Sequence, residues 1–300
     1  MTIKTMAQAA QEHKDWAQGT HARIPLGFPI IDDLTRGGPA PGQLLMFACY
    51  SGVGKTTWGV NVAVNCRHVP TLFISLEMDA RSILQRLAAV DAETPTSKIE
   101  GDVESHGRSA AIESFVTRFP LLVINDEPSV SIRGIENTID EASTQVGETI
   151  KLVVIDYMEM IAGTGIGKDS NSNIEDISRG LKKLARKKDV VVIILHQCNA
   201  TAGEGFEPLS RRSIKYQADV PADYTMAAYR KHLDPSLTYD QIEEYRSEFH
   251  IQFLKTRGGS RTHPFGLRHG YNSESMKIYP PASQLAPEFR PWSQPEITGF

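Results

Sequence analysis

The stretch Ser51-Gly52-Val53-Gly54-Lys55-Thr56-Thr57 sets two glycines, a lysine and two threonines at the spacing of a phosphate-binding loop. Glycines let backbone N–H groups turn inward around phosphates. Lys55 brings a point charge to the β/γ-phosphates, and the Thr56 hydroxyl is a ligand for Mg²⁺. The apolar run Leu44-Leu45-Met46-Phe47-Ala48 precedes the loop, and a helical stretch ending near Arg67 follows it. A helix N-terminus therefore adds its dipole. This is the strand–loop–helix context of a P-loop that binds a nucleoside triphosphate with Mg²⁺ and hydrolyses it; ATP is the expected nucleotide. Cys49 stands where the pattern has its first glycine.

Two acids fall where they could complete such a site. Asp156 closes the apolar run Leu152-Val153-Val154-Ile155 and can hold Mg²⁺ directly or through water, or serve as an ordinary strand-ending Asp that caps the following turn. Glu77 follows the run Thr71-Leu72-Phe73-Ile74-Ser75. A carboxylate there could orient an attacking water and accept its proton, or serve as a first-turn acid on a helix dipole. No grouping of His, Cys and Asp has metal-ligand spacing, so Mg²⁺ with nucleotide is the one metal expected.

The elements that must position these residues are short apolar runs alternating with helical stretches. Besides those named, Leu121-Leu122-Val123-Ile124 and Val190-Val191-Val192-Ile193-Ile194-Leu195 are continuous apolar runs. Such runs suit strands covered on both faces, as in a mostly parallel sheet flanked by helices. Phe249-His250-Ile251-Gln252-Phe253-Leu254 mostly alternates, which predicts a strand nearer the sheet edge with one wetter face. Gly258-Gly259-Ser260 reads as a turn after it. On the helix predicted from Ile177 to Lys188, Leu181, Leu184 and Ala185 face the sheet. The basic run Lys182, Lys183, Arg186, Lys187 and Lys188 forms its solvated face.

The 300 residues read as residues 1–20, a polar arm that could be helical and link subunits; 21–280, one α/β domain; and 281–300, a disordered proline-rich tail. The 40% apolar fraction is ordinary for a globular protein. A net charge of −4 argues against passive coating of nucleic acid but allows a locally basic channel. Three cysteines form no framework, the N-terminus has no signal-type apolar core, and no run approaches a membrane span. The expected compartment is the cytoplasm of a bacterial cell or of a phage-infected host.

The order PGQLLMFACYSGVGKTT, FISLEM, LVVIDYMEM, ISRGLKKLARKKDVVVIILHQ and FLKTRGG resembles the RecA-type motor domain of the DnaB-like, ring-forming replicative helicases, which also occur in phages. The resemblance covers roughly Gly27 to Tyr279. It implies a RecA-like P-loop NTPase fold, with a mostly parallel central sheet and antiparallel edge strands. It implies a helicase or translocase stimulated by single-stranded DNA, acting as a homo-oligomer, a hexamer, with replication proteins as further partners. By position, Glu77 matches the catalytic glutamate and Asp156 the Walker B aspartate. Gln197, preceded by His196, matches the residue that senses the γ-phosphate. Arg257 matches the arginine finger and Lys255 its companion, both reaching a neighbouring subunit's nucleotide. The chain is expected to lack the separate N-terminal helical domain of the cellular enzymes.

In that family two loops grip the DNA backbone. Here they correspond to residues 163–171 and residues 199–212, both expected at the carboxyl edge of the sheet. Lys168, Arg211 and Arg212 are the candidate phosphate contacts, with ordinary solvated loop charges as the alternative. A RecA-type recombinase and a nuclease on the same motor core are the competing functional readings.

Overall fold

The continuous apolar runs fold as parallel strands: Leu44–Cys49 (β1), Thr71–Ser75 (β2), Leu122–Asn125 (β3), Leu152–Asp156 (β4) and Val191–Gln197 (β5). The computed structural model describes residues 3–18, 23–161, 170–198, 205–214, 218–257 and 262–281. Four further strands follow: Tyr224–Tyr229 (β6), Glu248–Thr256 (β7), His263–Asn272 (β8) and Lys277–Tyr279 (β9). Among the described residues these form one sheet in the order β3-β2-β4-β5-β1-β6-β7-β8-β9. From β3 to β6 every pairing is parallel, and β7 to β9 are antiparallel.

The described helices are Met6–Gln18 (α1), Pro29–Leu34 (α2), Lys55–Asn65 (α3), Ala80–Ala92 (α4), Thr96–His106 (α5), Ala110–Arg118 (α6), Ile132–Val146 (α7), Ser170–Lys188 (α8) and Tyr239–Arg246 (α9). The helix α3 packs against β1, β4 and β5 and buries every residue from Thr57 to Val64. At its start Trp58 is fully buried and stacks on Phe47 of β1, with ring centroids 4.1 Å apart and planes 2° apart. Phe28 stacks on the same ring at 6.3 Å. This aromatic column fixes the helix that follows the phosphate loop. Asn61, also fully buried, donates to the Thr57 and Met276 carbonyls, both at 2.8 Å, and accepts from the Ile278 N–H at 2.9 Å. It thereby ties β9 to α3.

Three expectations are corrected. The strand β7 is internal, lying between β6 and β8, and it is buried from Glu248 to Phe253. Its alternating polar residues are not on a wet face. His250 pairs with Glu248 at 2.8 Å, and the Gln252 amide bonds both backbone groups of Leu209. Conversely β3, an unbroken apolar run, is an edge strand and only half-buried. A third correction concerns the basic face of α8. Leu181, Leu184 and Ala185 are buried as expected, but Lys182 turns inward to the Gly42 carbonyl at 2.7 Å and to Asp223 at 2.5 Å. Lys188 bonds Asp140, and Lys187 lies 2.6 Å from Glu136.

The Gly258-Gly259-Ser260 turn, the tail beyond Pro281 and residues 162–169 lie outside the described residues. No described helix is long and apolar enough to cross a membrane.

Candidate nucleotide site and its companion cations

The loop leaves β1 at the carboxyl edge of the parallel strands, beside the point where the chain order on the sheet reverses. Open α/β sheets bind ligands at such a place. Gly54 adopts φ +123°, and a Cβ there would meet the Phe249 ring at 3.1 Å, so only glycine fits this approach. Ser51 and Gly52 are exposed, Val53 and Thr57 are buried, and Lys55 and Thr56 are half-buried at the first turn of α3. Cys49 is the last residue of β1, paired with Gln197, and its carbonyl accepts the Cys198 N–H at 2.9 Å. A regular strand position makes no demand for glycine, which accounts for the departure from the pattern. All three cysteines are buried, and burial pushes the Cys66 thiol up to about 12 and Cys49 upward as well.

Asp156 ends β4, two strands from β1, and is fully buried. Its Oδ2 accepts the Thr56 hydroxyl at 2.6 Å. Its Oδ1 is buried and has no hydrogen-bond partner. Burial pushes this carboxyl above its ordinary range; the Thr56 bond and Lys55 pull it down, and Glu77 pushes it up again. An anionic oxygen with an open lone pair, next to a hydroxyl, is the hard-oxygen set that Mg²⁺ takes. The residues present fit that ion.

Lys55 Nζ lies 4.7 Å from the centre of the Tyr157 ring, and the Asp156–Tyr157 peptide is cis. Glu77 is exposed, beyond the end of β2, whose Ser75 is in register with Asp156. The helix α4 begins only at Ala80, capped by Asp79, whose carboxylate accepts the Ser82 N–H at 2.9 Å. Glu77 is therefore not a first-turn acid, and that alternative lapses.

Gln197 ends β5 beside the loop. Its N–H donates to Glu159 Oε1 at 3.0 Å, and the same oxygen lies 3.1 Å from Nδ1 of the fully buried His196. Glu159 sits in a 3-10 turn, Met158–Met160, just after β4. Sequence reasoning passed over it because an acid after Tyr157-Met158 carries no local signal. Only the neighbouring strand end gives it a partner.

Lys255 and Arg257 are placed differently. Lys255 is in register with Thr225 near the start of β6, and the Arg257 N–H donates to the Asp223 carbonyl, whose own N–H donates to Leu44. Both cations thus lie at the amino edge of the parallel strands. The loop lies at the other edge, five residues along β1, about 16 Å at about 3.3 Å per residue. Lys255 Nζ donates to the Asp219 and Val220 carbonyls at 2.7 and 2.8 Å, and Arg257 Nη2 donates to Val220 at 3.0 Å. Burial lowers the pKa of Lys255. Arg211 grips Asp219 through Nε at 2.7 Å and Nη2 at 2.5 Å, whereas Arg212 is exposed. The segment carrying Arg211 does not stay at the carboxyl edge: Gly205 accepts there from Arg230, and Arg211 ends beside Asp219 at the amino edge. Lys168 lies outside the described residues.

Residues 23–262 match the model of the DnaB-like helicase C-terminal domain. A replicative DNA helicase DnaB from Leifsonia xyli subsp. xyli (strain CTCB07) is 32% identical over 196 residues, covering 63% of this chain and 41% of the relative. The corresponding protein of Geobacillus stearothermophilus is 26% identical over 244 residues, 79% of this chain and 52% of the relative. The chain thus spans about half the length of the curated relatives it matches. In structure it is similar to a DnaB-like replicative helicase solved for its interactions with primase, with a TM-score of 0.77, 19% identity and coverage of 93% of this chain and 67% of that one. It is also similar to a separately solved ATPase domain, with a TM-score of 0.78, 21% identity and coverage of 93% of this chain and 99% of that one. The fold is that of RecA-like ATPase domains, a mostly parallel sheet with antiparallel strands at one edge.

Proposed function

This chain belongs to the DnaB-like helicase C-terminal domain family, and from that premise we propose that it is the ATP-hydrolysing motor of a ring-forming DNA helicase or translocase driven along single-stranded DNA. The observation that carries the reading is the separation of its two charged groups. Lys55, Thr56, Asp156, Glu77 and Gln197 gather at one edge of the sheet, and Lys255 and Arg257 lie at the other. A guanidinium that cannot reach its own phosphate loop supports delivery to the loop of a neighbouring copy.

In this reading the N–H groups of Ser51 to Thr57 and the Lys55 ammonium hold the β/γ-phosphates, and α3 adds its N-terminal dipole. Thr56 and Asp156 hold Mg²⁺, which when bound neutralises charge on the phosphates. Glu77 orients the attacking water and takes its proton. Gln197, fixed by Glu159, senses the γ-phosphate. Arg257, with Lys255, stabilises charge on the transferring phosphoryl group from the adjoining subunit, so a closed interface is the condition for fast hydrolysis. Lys168, Arg211 and Arg212 are the phosphate contacts to single-stranded DNA. The organisation is a hexameric ring in the cytoplasm of a bacterial cell or phage-infected host. The relatives favour neither the recombinase nor the nuclease reading.

ATP hydrolysis with and without single-stranded DNA tests this on the native chain and on Lys55→Ala. The reading expects DNA to accelerate the native chain severalfold and Lys55→Ala to be inactive. A rate indifferent to DNA in assembled protein would remove the motor.

A further inference from the structure

The segment 205–211 runs the length of the sheet between the two charged groups, and three contacts fasten it. At the carboxyl edge Gly205 meets the phosphate loop. A Cβ on Gly205 would lie 2.8 Å from the Val53 side chain and 3.5 Å from Tyr50, and its carbonyl accepts the Arg230 N–H at 2.9 Å. Midway, the fully buried amide of Gln252 accepts the Leu209 N–H at 2.8 Å and donates to the Leu209 carbonyl at 3.0 Å. It also donates to Pro264, so its donors and acceptor are all engaged. At the amino edge Arg211 grips the buried Asp219, and the Asp219 and Val220 carbonyls seat Lys255 and Arg257.

We infer that residues 205–211 form a strut that couples the phosphate loop of one protomer to the finger pair it presents to the next, with Gln252 and Asp219 as its positioning residues. Its two ends and its middle are held, at Gly205, Leu209 and Arg211. A displacement of Val53 on nucleotide binding, or of residues 205–211 on DNA binding, would by these contacts reach the seat of Lys255 and Arg257. Coupling of this kind is a free energy between sites and has to be measured as one. The inference rests on the finger reading of Arg257, and the variants below separate the two.

Asp219→Asn weakens the charged grip on Arg211 and leaves both backbone carbonyls that seat the finger pair. Arg211→Lys keeps a positive charge for DNA but loses the two-nitrogen grip. Assembled protein is assayed for kcat and KM for ATP at saturating single-stranded DNA, with DNA affinity measured separately. The strut predicts a kcat loss of about fivefold or more for Asp219→Asn, with KM changed less than about twofold. It predicts the same loss for Arg211→Lys and no further loss in the double variant, since the two residues act as one unit. Wild-type kcat in Asp219→Asn, or additive losses in the double variant, would overturn it. If Asp219→Asn fails to assemble, the Arg211→Lys kcat alone decides, because that side chain is half exposed. Should Arg257→Ala abolish hydrolysis while Asp219→Asn is normal, the finger stands and the strut falls. Should Arg257→Ala hydrolyse like wild type, the finger reading falls and the strut has nothing to deliver.

Discussion

The two edges of the sheet differ in what their charges have for partners. At the carboxyl edge one chain assembles a cation, a hydroxyl, a buried acid and an exposed acid within reach of one another. At the amino edge two cations rest on the backbone carbonyls of Asp219 and Val220, with Asp223 3.8 Å from Arg257. Neutral carbonyls orient a cation without neutralising it, so its charge stays available to a stronger acceptor. On the proposed reading, the difference means that each chain carries half of one site and half of another. Oligomerisation then becomes part of the chemistry.

Experiments can break this comparison or sharpen it. Arg257→Ala should lower kcat by about 10³-fold or more, the usual worth of an arginine finger. Nucleotide affinity of the single protomer, read by equilibrium titration, should barely move because Arg257 is remote from its own loop. Glu77→Gln should lower kcat by about 10²-fold or more while keeping nucleotide binding, as loss of a general base does. A rate within a few-fold of wild type would return Glu77 to an ordinary loop acid.

Asn61 supports the carboxyl edge from behind, since it ties β9 to the helix of the phosphate loop. Asn61→Ala strands the Ile278 N–H and the Met276 carbonyl, and should cost roughly 2 kcal/mol or more in denaturant unfolding. The smallest effect lies in pH. Burial lowers the His269 pKa to about 4 from an ordinary 6.5. As pH falls the unfolded chain takes the proton first, so this stability is whole above about 6.5 and is lost toward 4. Asp32 opposes it, because burial raises its carboxyl to about 6 and favours the fold as pH falls below that value. His269→Gln should therefore remove roughly 1–2 kcal/mol of the loss between pH 7 and pH 5. An unchanged acid limb would contradict the assignment.

The carboxyl edge was largely legible in the sequence. Its strands are unbroken apolar runs, and the candidate residues lie at or shortly after their ends: Asp156 closes β4, Glu77 follows β2 by two residues and Lys55 opens the helix after the β1 loop, while Gln197, the last residue of β5, was named by the family resemblance. The amino edge was not. The strand Tyr224–Tyr229 is short and two-thirds Ala and Tyr, and His263–Asn272 carries Pro, two Gly and Arg, a composition that reads as loop. The environments of β3 and β7 came out reversed because alternation reports polarity, and a buried Gln252 bonded on all sides is polar without being wet. Asp219 and Glu159 gain meaning only from partners in other elements, which local pattern cannot supply.

The central claim is that the two halves of a site come from two chains. Lys55→Ala and Arg257→Ala, each inactive alone, are mixed under assembly conditions and assayed with single-stranded DNA. The account predicts that activity returns, since about one quarter of interfaces in a random ring pair an intact loop with an intact finger. Mixed rings that stay inactive, or Arg257→Ala that hydrolyses normally alone, would contradict it.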